Sequence, residues 1–327
     1  MLDILIVTPA EPGSKAGNRA TAERWKRLLE NSGHTVSILT RYQGQAADLM
    51  IALHTWRSHE AIRQFREMNP KIPLIGVLTG TDVYSPEFRD EQATHESMAS
   101  ADALIGLHRK VATDIPEGFR DKVRIVLQSA EKPTQSRCPA TDPFDCCVIG
   151  HLRDEKDSLR AAMAARHLPD DSRIRIVQAG KPHNPGWRTM AEQEATLNPR
   201  FHWLGEIDRT AVQSLMRSSQ VMVISSRMEG GANVVSEACR GGLPIIASDI
   251  PGNRGLLGDS YSGYYPVENE KALASLLLRA ERDADFLAEL RNKVTELAGN
   301  FTPAAEQAAL IAAIDYAFSR MGSIASP

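Results

Sequence analysis

The chain has 327 residues, of which 42% are hydrophobic and 24% charged, and a formal net charge of -3. That length suits two globular domains, and the near-balanced charge excludes the global basic field of a nucleic-acid binder. No apolar run is long enough to cross a bilayer, and Met1–Thr8, with Asp3 near its start, lacks the basic flank and length of a signal peptide, so the expected location is cytoplasmic, away from membrane.

In chain order, Leu2–Thr8 is a short apolar run of the kind buried on both faces of a parallel sheet. The spacing of Asn18–Asn31 predicts a helix that ends before Gly33. Strands are expected at Thr35–Leu39, Asp48–Leu53, Pro73–Leu78, Ala103–Gly106 and Val123–Leu127, with a helix near Ser58–Met68. Strand and helix alternate, which argues a doubly wound α/β sheet. Glu131–Pro143, with Lys-Pro, Cys-Pro and Asp-Pro steps, reads as a linker. A second series then follows, with strands at Asp145–Gly150, Ile174–Gln178, Phe201–Leu204, Val221–Ser225, Pro244–Ala247 and Gly263–Pro266. Amphipathic helices are expected over Glu270–Ala298 and Pro303–Arg320, the second opened by Thr302 as cap and Pro303 at its first position. The division is therefore residues 1–135 and 144–300, with 303–320 as a separate closing helix. Two such halves imply ligand binding at the carboxyl ends of the strands, in a cleft.

The cysteines Cys138, Cys146, Cys147 and Cys239 form no CxxC pair, so no metal site is expected. Cys146 and Cys147 share a strand and read as buried reduced thiols, the alternative being a vicinal redox pair. Gly13–Asn18, between strand and helix, fits both a phosphate-admitting loop, with Lys15, Gly17 and Asn18 in reach, and a plain turn. It has neither the G-x-G-x-x-G nor the Walker pattern, which leaves a nicotinamide dehydrogenase without its fingerprint.

The segment with most chemistry is Ser226–Ala238. Glu229 stands in a turn after a strand, and Gly230, Gly231, Ala232 and Asn233 lead into a helix that carries Glu237. Backbone N–H groups at such a helix start suit a diphosphate, and the carboxylates suit sugar and ribose hydroxyls; an ordinary Gly-rich turn with solvated acids is the alternative. Gly150–Lys156 also ends a strand, and its His151, Arg153 and Lys156 offer cations for a diphosphate or a set of local salt bridges. Leu53–Ser58 places His54 and Arg57 after a strand. Leu78–Asp82 does the same for Thr79, Gly80 and Thr81, with Thr81 or Asp82 as helix cap in the plainer reading.

Glu229, Gly230 and Glu237 resemble the E-x7-E motif of glycosyltransferase family 4, and Gly241–Ser248 and Asp249–Asn253 resemble the strand and loop that follow it. The resemblance implies a GT-B fold of two Rossmann-like domains, the closing helix being of the kind that commonly returns to the first. It implies that Glu229 contacts the donor sugar, that Glu237 binds the ribose, and that His54 lies near the reacting sugar. In that family the loop corresponding to Gly150–Lys156 carries G-R-L followed by E-K. Lys156 matches the Lys, while His151 stands at the usual Arg position and Arg153 is the substitute cation.

A narrower set is similar to the selenosugar synthases of selenoneine biosynthesis, a small subgroup of the superfamily: Val7–Ala10, Gly17-Asn18 with Thr21-Ala22 and Arg24-Trp25, Leu53–Ser58, Leu78–Asp82, Gly150–Lys156 with His151, and Ser226–Gly231. That similarity implies joining selenophosphate to the anomeric carbon of UDP-glucose or UDP-N-acetylglucosamine, without a cofactor or metal. His54, Arg153, Lys156 and Glu229 would be catalytic. Gly17, Asn18, His151, Gly230, Gly231, Ala232, Asn233 and Glu237 would bind the donor. Lys15, Arg57, Thr79, Gly80 and Thr81 would bind the acceptor. A hydroxyl-directed glycosyltransferase and a non-catalytic nucleotide-sugar-binding protein are the rivals. Oligomeric state is not legible.

Overall fold

A computed structural model describes residues 1–14, 16–87 and 91–324. The chain divides into two compact units. The first takes in Met1–Ser129, Glu229–Asn233 and Pro303–Pro327, and the second Ala130–Met228 and Val234–Thr302. Each holds one six-stranded sheet in which every pairing is parallel.

In the first unit the strands are β1 (Asp3–Val7), β2 (Thr35–Leu39), β3 (Leu49–Leu53), β4 (Leu74–Leu78), β5 (Ala103–Gly106) and β6 (Val123–Ile125), in the order β2-β1-β3-β4-β5-β6. Successive side chains leave opposite faces of the sheet, and both faces are covered, which is why these strands are apolar throughout. Ile4, Ile6, Leu49, Ile51 and Leu53 pack with Trp25 and Leu29 of the helix Gly17–Asn31. Leu310, Ala313, Ile314 and Ala317 of the closing helix Pro303–Ile324 lie in the same cluster. Leu5, Val7, Met50 and Ala52 pack on the other side with Ile62 and Phe65 of the helix His59–Met68.

The second unit holds β7 (Phe144–Ile149), β8 (Ile174–Ala179), β9 (Phe201–Trp203), β10 (Val221–Ile224), β11 (Ile245–Ser248) and β12 (Tyr264–Tyr265), in the order β12-β11-β10-β7-β8-β9. Cys146 and Cys147 are buried free thiols of β7, and burial pushes Cys147 up to about 12. The fold is α/β with two parallel sheets, as the alternation of strands and helices predicts. One element differs: Glu270–Ala298 is not a single helix. It breaks at Asp283 into Glu270–Arg282 and Ala284–Leu297, because the Asp283 carboxylate accepts from the Phe286 N–H at 2.9 Å and caps the second helix.

In each sheet the chain reverses its direction of growth once, after β2 in the first and after β9 in the second. The reversals place the loops after β1 and β3, and those after β7 and β10, on either side of a switch point. In open α/β sheets the loops diverge at such a point, which is where ligands bind.

Candidate active site

In the first unit the loops after β3 and β4 are built around one carboxylate. Asp82, with no solvent exposure, accepts from the backbone N–H of Thr55 (3.0 Å), Thr79 (2.9 Å) and Gly80 (2.8 Å) and from the Thr55 hydroxyl (3.2 Å). Four donors on a buried carboxylate compensate its desolvation, and they fix the two loops against each other. Asp82 belongs to the short helix Thr81–Tyr84, so Thr79 and Gly80 are held from within its first turn.

His54 is set into this frame with a positive φ of 67°. A non-glycine residue there costs on the order of 1–3 kcal/mol and persists only where its surroundings over-determine it. The His54 N–H donates to the Val77 carbonyl (2.9 Å), and its own carbonyl accepts from the Ser58 N–H (2.9 Å). Its Nδ1 accepts from the Arg57 N–H at 3.3 Å, so the ring proton resides on Nε2, which donates to Thr81 Oγ1 at 2.9 Å. The ring is buried. Burial holds its pKa below the ordinary value, with Asp82 acting the other way from 3.8 Å and Arg57 reinforcing the decrease. His54 is therefore a neutral imidazole of fixed tautomer. Arg57 is exposed and Thr79 and Thr81 are half-buried.

Glu229 and Gly230 belong to this unit. Glu229 is buried. A Cβ on Gly230 would fall 2.2 Å from the Thr79 carbonyl carbon and oxygen, and one on Gly80, at φ 123°, would fall 2.6 Å from the Gly230 nitrogen. Two backbones meet where only glycine fits, and this contact sets Glu229 beside the Thr79–Thr81 turn. A Cβ on Gly231 would likewise meet Leu107 Cβ at 2.6 Å, and Ala232 is buried. These glycines are thus required for close packing, a reason that the motif alone did not disclose. Gly17 opens the helix Gly17–Asn31 and is exposed, with Asn18 half-buried and no side-chain cap at Ala16. Lys15 lies outside the described residues.

In the second unit the loop after β7 is tied to the loop after β8 by two backbone bonds and one to a side chain. Leu152 N–H donates to Lys181 O (2.9 Å), His183 N–H to Leu152 O (2.9 Å), and Lys181 N–H to His151 Nδ1 (3.2 Å). A Cβ on Gly180 would sit 1.8 Å from the Gly150 oxygen. The next residues, Asp154–Lys156, form one 3-10 turn ended by Asp157 at φ 44°. The loop after β10 grips this turn. Arg227 N–H donates to Glu155 O (2.8 Å), and Ser225 Oγ donates to the Lys156 and Asp157 carbonyls (2.9 and 3.0 Å). Arg227 also pairs with Glu268 at 2.6 Å. Arg153 and Lys156 are half-buried on this frame, Arg153 Nε lying 4.0 Å from Glu155. Glu237, half-buried, stands in the helix Asn233–Gly241 that begins at Asn233.

These segments follow the carboxyl ends of strands. The family described as glycosyl transferases group 1 matches residues 131–300. The chain belongs to that family. Among curated glycosyltransferases, it is 23% identical over 273 residues to glycosyltransferase 1 domain-containing protein 1 of Xenopus tropicalis, covering 76% of this chain and 79% of that one. Among solved structures, sucrose-phosphate synthase from Thermosynechococcus elongatus superposes with a TM-score of 0.80 at 16% identity, over 98% of this chain and 100% of the other. HepE from Anabaena, solved with UDP and glucose, gives 0.76 at 15% identity, over 96% and 100%. The α/β architecture is thus that of GT-B glycosyltransferases.

Sequence reasoning singled out His54, Thr81, Glu229 and Gly230, and the structure brings them together. It also brings Arg153 and Lys156 under the grip of Ser225 and Arg227. It missed the organising residues: Asp82 as a four-donor hub rather than a cap, Asp157 as the left-handed end of the cation loop, and Gly180. Asp82 was visible as the acid of Thr79-Gly80-Thr81-Asp82, but its partner Thr55 comes from the loop after β3. Among the described residues no helix is long and apolar enough to cross a membrane.

Proposed function

We propose that the protein transfers a sugar from UDP-glucose or UDP-N-acetylglucosamine to selenophosphate, releasing UDP and giving a selenosugar. The observation that carries glycosyl transfer is the meeting of Glu229-Gly230 with the Thr79–Thr81 turn beside a neutral, fixed His54. A carboxylate for sugar hydroxyls thereby adjoins a polar turn of the kind an acceptor needs. The UDP-sugar donor is supported by family membership and by the HepE structure with UDP and glucose. Selenophosphate is supported by the motif set, including His151 in place of the usual Arg.

In this reading Glu237 binds the ribose, while Arg153 and Lys156 neutralise the diphosphate as it leaves, a transition-state contribution that needs no metal. The C1–O bond to UDP breaks as the C1–Se bond forms. Water then attacks phosphorus, the P–Se bond breaks, and inorganic phosphate departs with the selenosugar left behind. Selenium is soft and strongly nucleophilic, so His54 is not asked to remove a proton: it orients Thr81 and the sugar. Lys15, Arg57, Thr79 and Gly80 are the candidates for holding the selenophosphate anion, with Gly17 and Asn18 on the donor phosphate side. The expected site of action is the cytoplasm.

The test is UDP release from each donor with and without selenophosphate, beside Glu229→Gln. Selenophosphate-dependent release, reduced about a hundredfold or more in the variant, is the expected result. No release above the hydrolysis control would sink the acceptor assignment. Release only with sugar or lipid hydroxyls would transfer the same site to a hydroxyl acceptor, and donor binding without any turnover would make it a nucleotide-sugar-binding protein.

A further inference from the structure

The closing helix contributes a fully buried carboxylate that the proposed chemistry does not use. Glu306 has no solvent exposure. It accepts from Arg24 Nε at 2.8 and 3.0 Å, from Trp25 Nε1 at 2.7 Å, and from Ser129 through its N–H at 2.8 Å and its hydroxyl. Removing a carboxylate from water is costly, and only such a complete set of donors offsets it. A helix needing only an apolar face would put alanine here, as it does at Ala313 and Ala317. The acid therefore calls for an explanation beyond packing.

The partners of Glu306 lead to the segment that follows Glu229. The guanidinium of Arg24 is planar, and Glu306 grips it at Nε. Its far edge then has one orientation: Nη1 donates to Asn233 Oδ1 at 3.2 Å and Nη2 to Gln128 Oε1 at 3.2 Å. With the Gln128 amide turned so that its oxygen faces Thr21 Oγ1 and Arg24, the orientation that satisfies both of its ends, this buried neighbour of Ser129 accepts from Thr21 Oγ1 at 2.6 Å and donates to the Gly231 carbonyl at 2.9 Å and to Asn233 Oδ1 at 3.3 Å. The chain of bonds runs from Glu306 through Arg24 and Gln128 to Gly231 and Asn233, all within the first unit. The Gly231 carbonyl and the Asn233 amide are each held from that side, two and four residues after the sugar-binding candidate.

We propose that Glu306 is a positioning residue for donor binding: it orients Arg24, which with Gln128 holds the Gly231–Asn233 turn in its ligand-binding shape. The role rests on the donor reading above, but the positioning itself does not. Without the carboxylate, the guanidinium keeps its charge and loses the anchor that aims it. The turn then samples other conformations, and the donor must reorder it on binding.

Glu306→Gln keeps the size and removes the charge. Amide hydrogen exchange in the peptide spanning residues 229–235 is expected to quicken about tenfold, the equivalent of one charge-assisted bond, while β3 and β4 keep their protection. The KM for the UDP-sugar rises by a similar factor, with kcat and the KM for the acceptor within about twofold. Gln128→Leu cuts the same bonds without touching Glu306 and gives the same pattern, which guards against a variant that merely folds poorly. Adding Arg24→Ala to Glu306→Gln produces little further change, because the two act in series. The proposal is overturned if residues 229–235 exchange as in the wild type in both variants, or if protection falls evenly over Met1–Ser129. A wild-type chain that binds no UDP-sugar would refute the donor reading, and the exchange result would still decide the positioning.

Discussion

In the first unit the candidate turns after β3 and β4 are held by a buried charge, Asp82, that collects donors from both. In the second, the cation loop after β7 is held by main-chain bonds to its neighbours and by the contact of Gly180 with Gly150. The contrast follows from what each loop presents. His54 and Thr81 are neutral groups whose use depends on a fixed direction, so an inward carboxylate can organise them. In the proposed function Arg153 and Lys156 neutralise an anion; the acids of their loop include Glu155, 4.0 Å from Arg153, and the buried Asp157, which accepts from Arg160 Nε at 2.7 Å. Fixing such a loop largely through main-chain groups lets its form rest on carbonyls and N–H groups rather than on one central acid.

That difference is best broken by paired substitutions. Gly180→Ala places a methyl group 1.8 Å from the Gly150 oxygen, so the two loops must part. A loss of about 3 kcal/mol is expected. Asp82→Asn keeps the shape but replaces one oxygen by an NH2 group that faces the donors this oxygen served, while the other oxygen still accepts, with a loss of about 2 kcal/mol. Urea denaturation of both variants measures these. An unchanged midpoint for Gly180→Ala would show that the loops separate freely, and one for Asp82→Asn that the hub is dispensable.

A smaller effect concerns protons. Besides His54, the first unit buries His108, whose Nδ1 accepts from the Lys110 N–H (3.2 Å) and whose Nε2 meets the Tyr84 hydroxyl at 2.7 Å. That hydroxyl in turn donates to Asp114 at 2.6 Å. Burial lowers the pKa of His108 to about 4, with Asp114 opposing. The unfolded chain protonates this imidazole near 6.5 and the folded chain only near 4, so the unfolded state binds more protons between them. Stability therefore declines as the pH falls below about 6.5, and the loss levels off below about 4. By pH 5 the cost is about 2 kcal/mol. His54 shifts in the same direction. Comparing denaturation at pH 7 and pH 5 in the wild type and in His108→Gln checks this: the variant should lose less on acidification. An equal loss would assign the acid sensitivity to other groups.

The same contrast explains what the sequence disclosed. Strands buried on both faces announce themselves as apolar runs, so Leu49–Leu53 and Val221–Ile224 were legible with their loops. The E-x7-E spacing was legible because it lies within one turn and one helix. Asp82 as a hub was not, since its donors come from Thr55 and from Thr79-Gly80, on two different loops. Nor was the steric need for Gly180, which depends on a carbonyl 30 positions earlier. The break at Asp283 was hidden because apolar spacing continues through it, while the backbone of Asp283 turns extended and its carboxylate accepts from the Phe286 N–H to start a new helix.

The smallest change in stability belongs to the cation loop itself, and it separates the two designs most cleanly. Arg153 and Lys156 are half-buried on a loop whose form depends on Gly150, Gly180, Ser225 and Arg227. Lys156→Ala should therefore change the unfolding free energy by less than about 0.5 kcal/mol. In the proposed function it should weaken UDP binding about tenfold, with a reduced dependence on salt, because one diphosphate-neutralising charge is gone. Calorimetric titration of UDP at two salt concentrations measures both quantities. A large loss of stability would mean that Lys156 belongs to the scaffold of the loop, as Asp82 does in the first unit. Unchanged UDP affinity with unchanged stability would move the diphosphate away from this loop and leave Arg153 and Lys156 as surface charges.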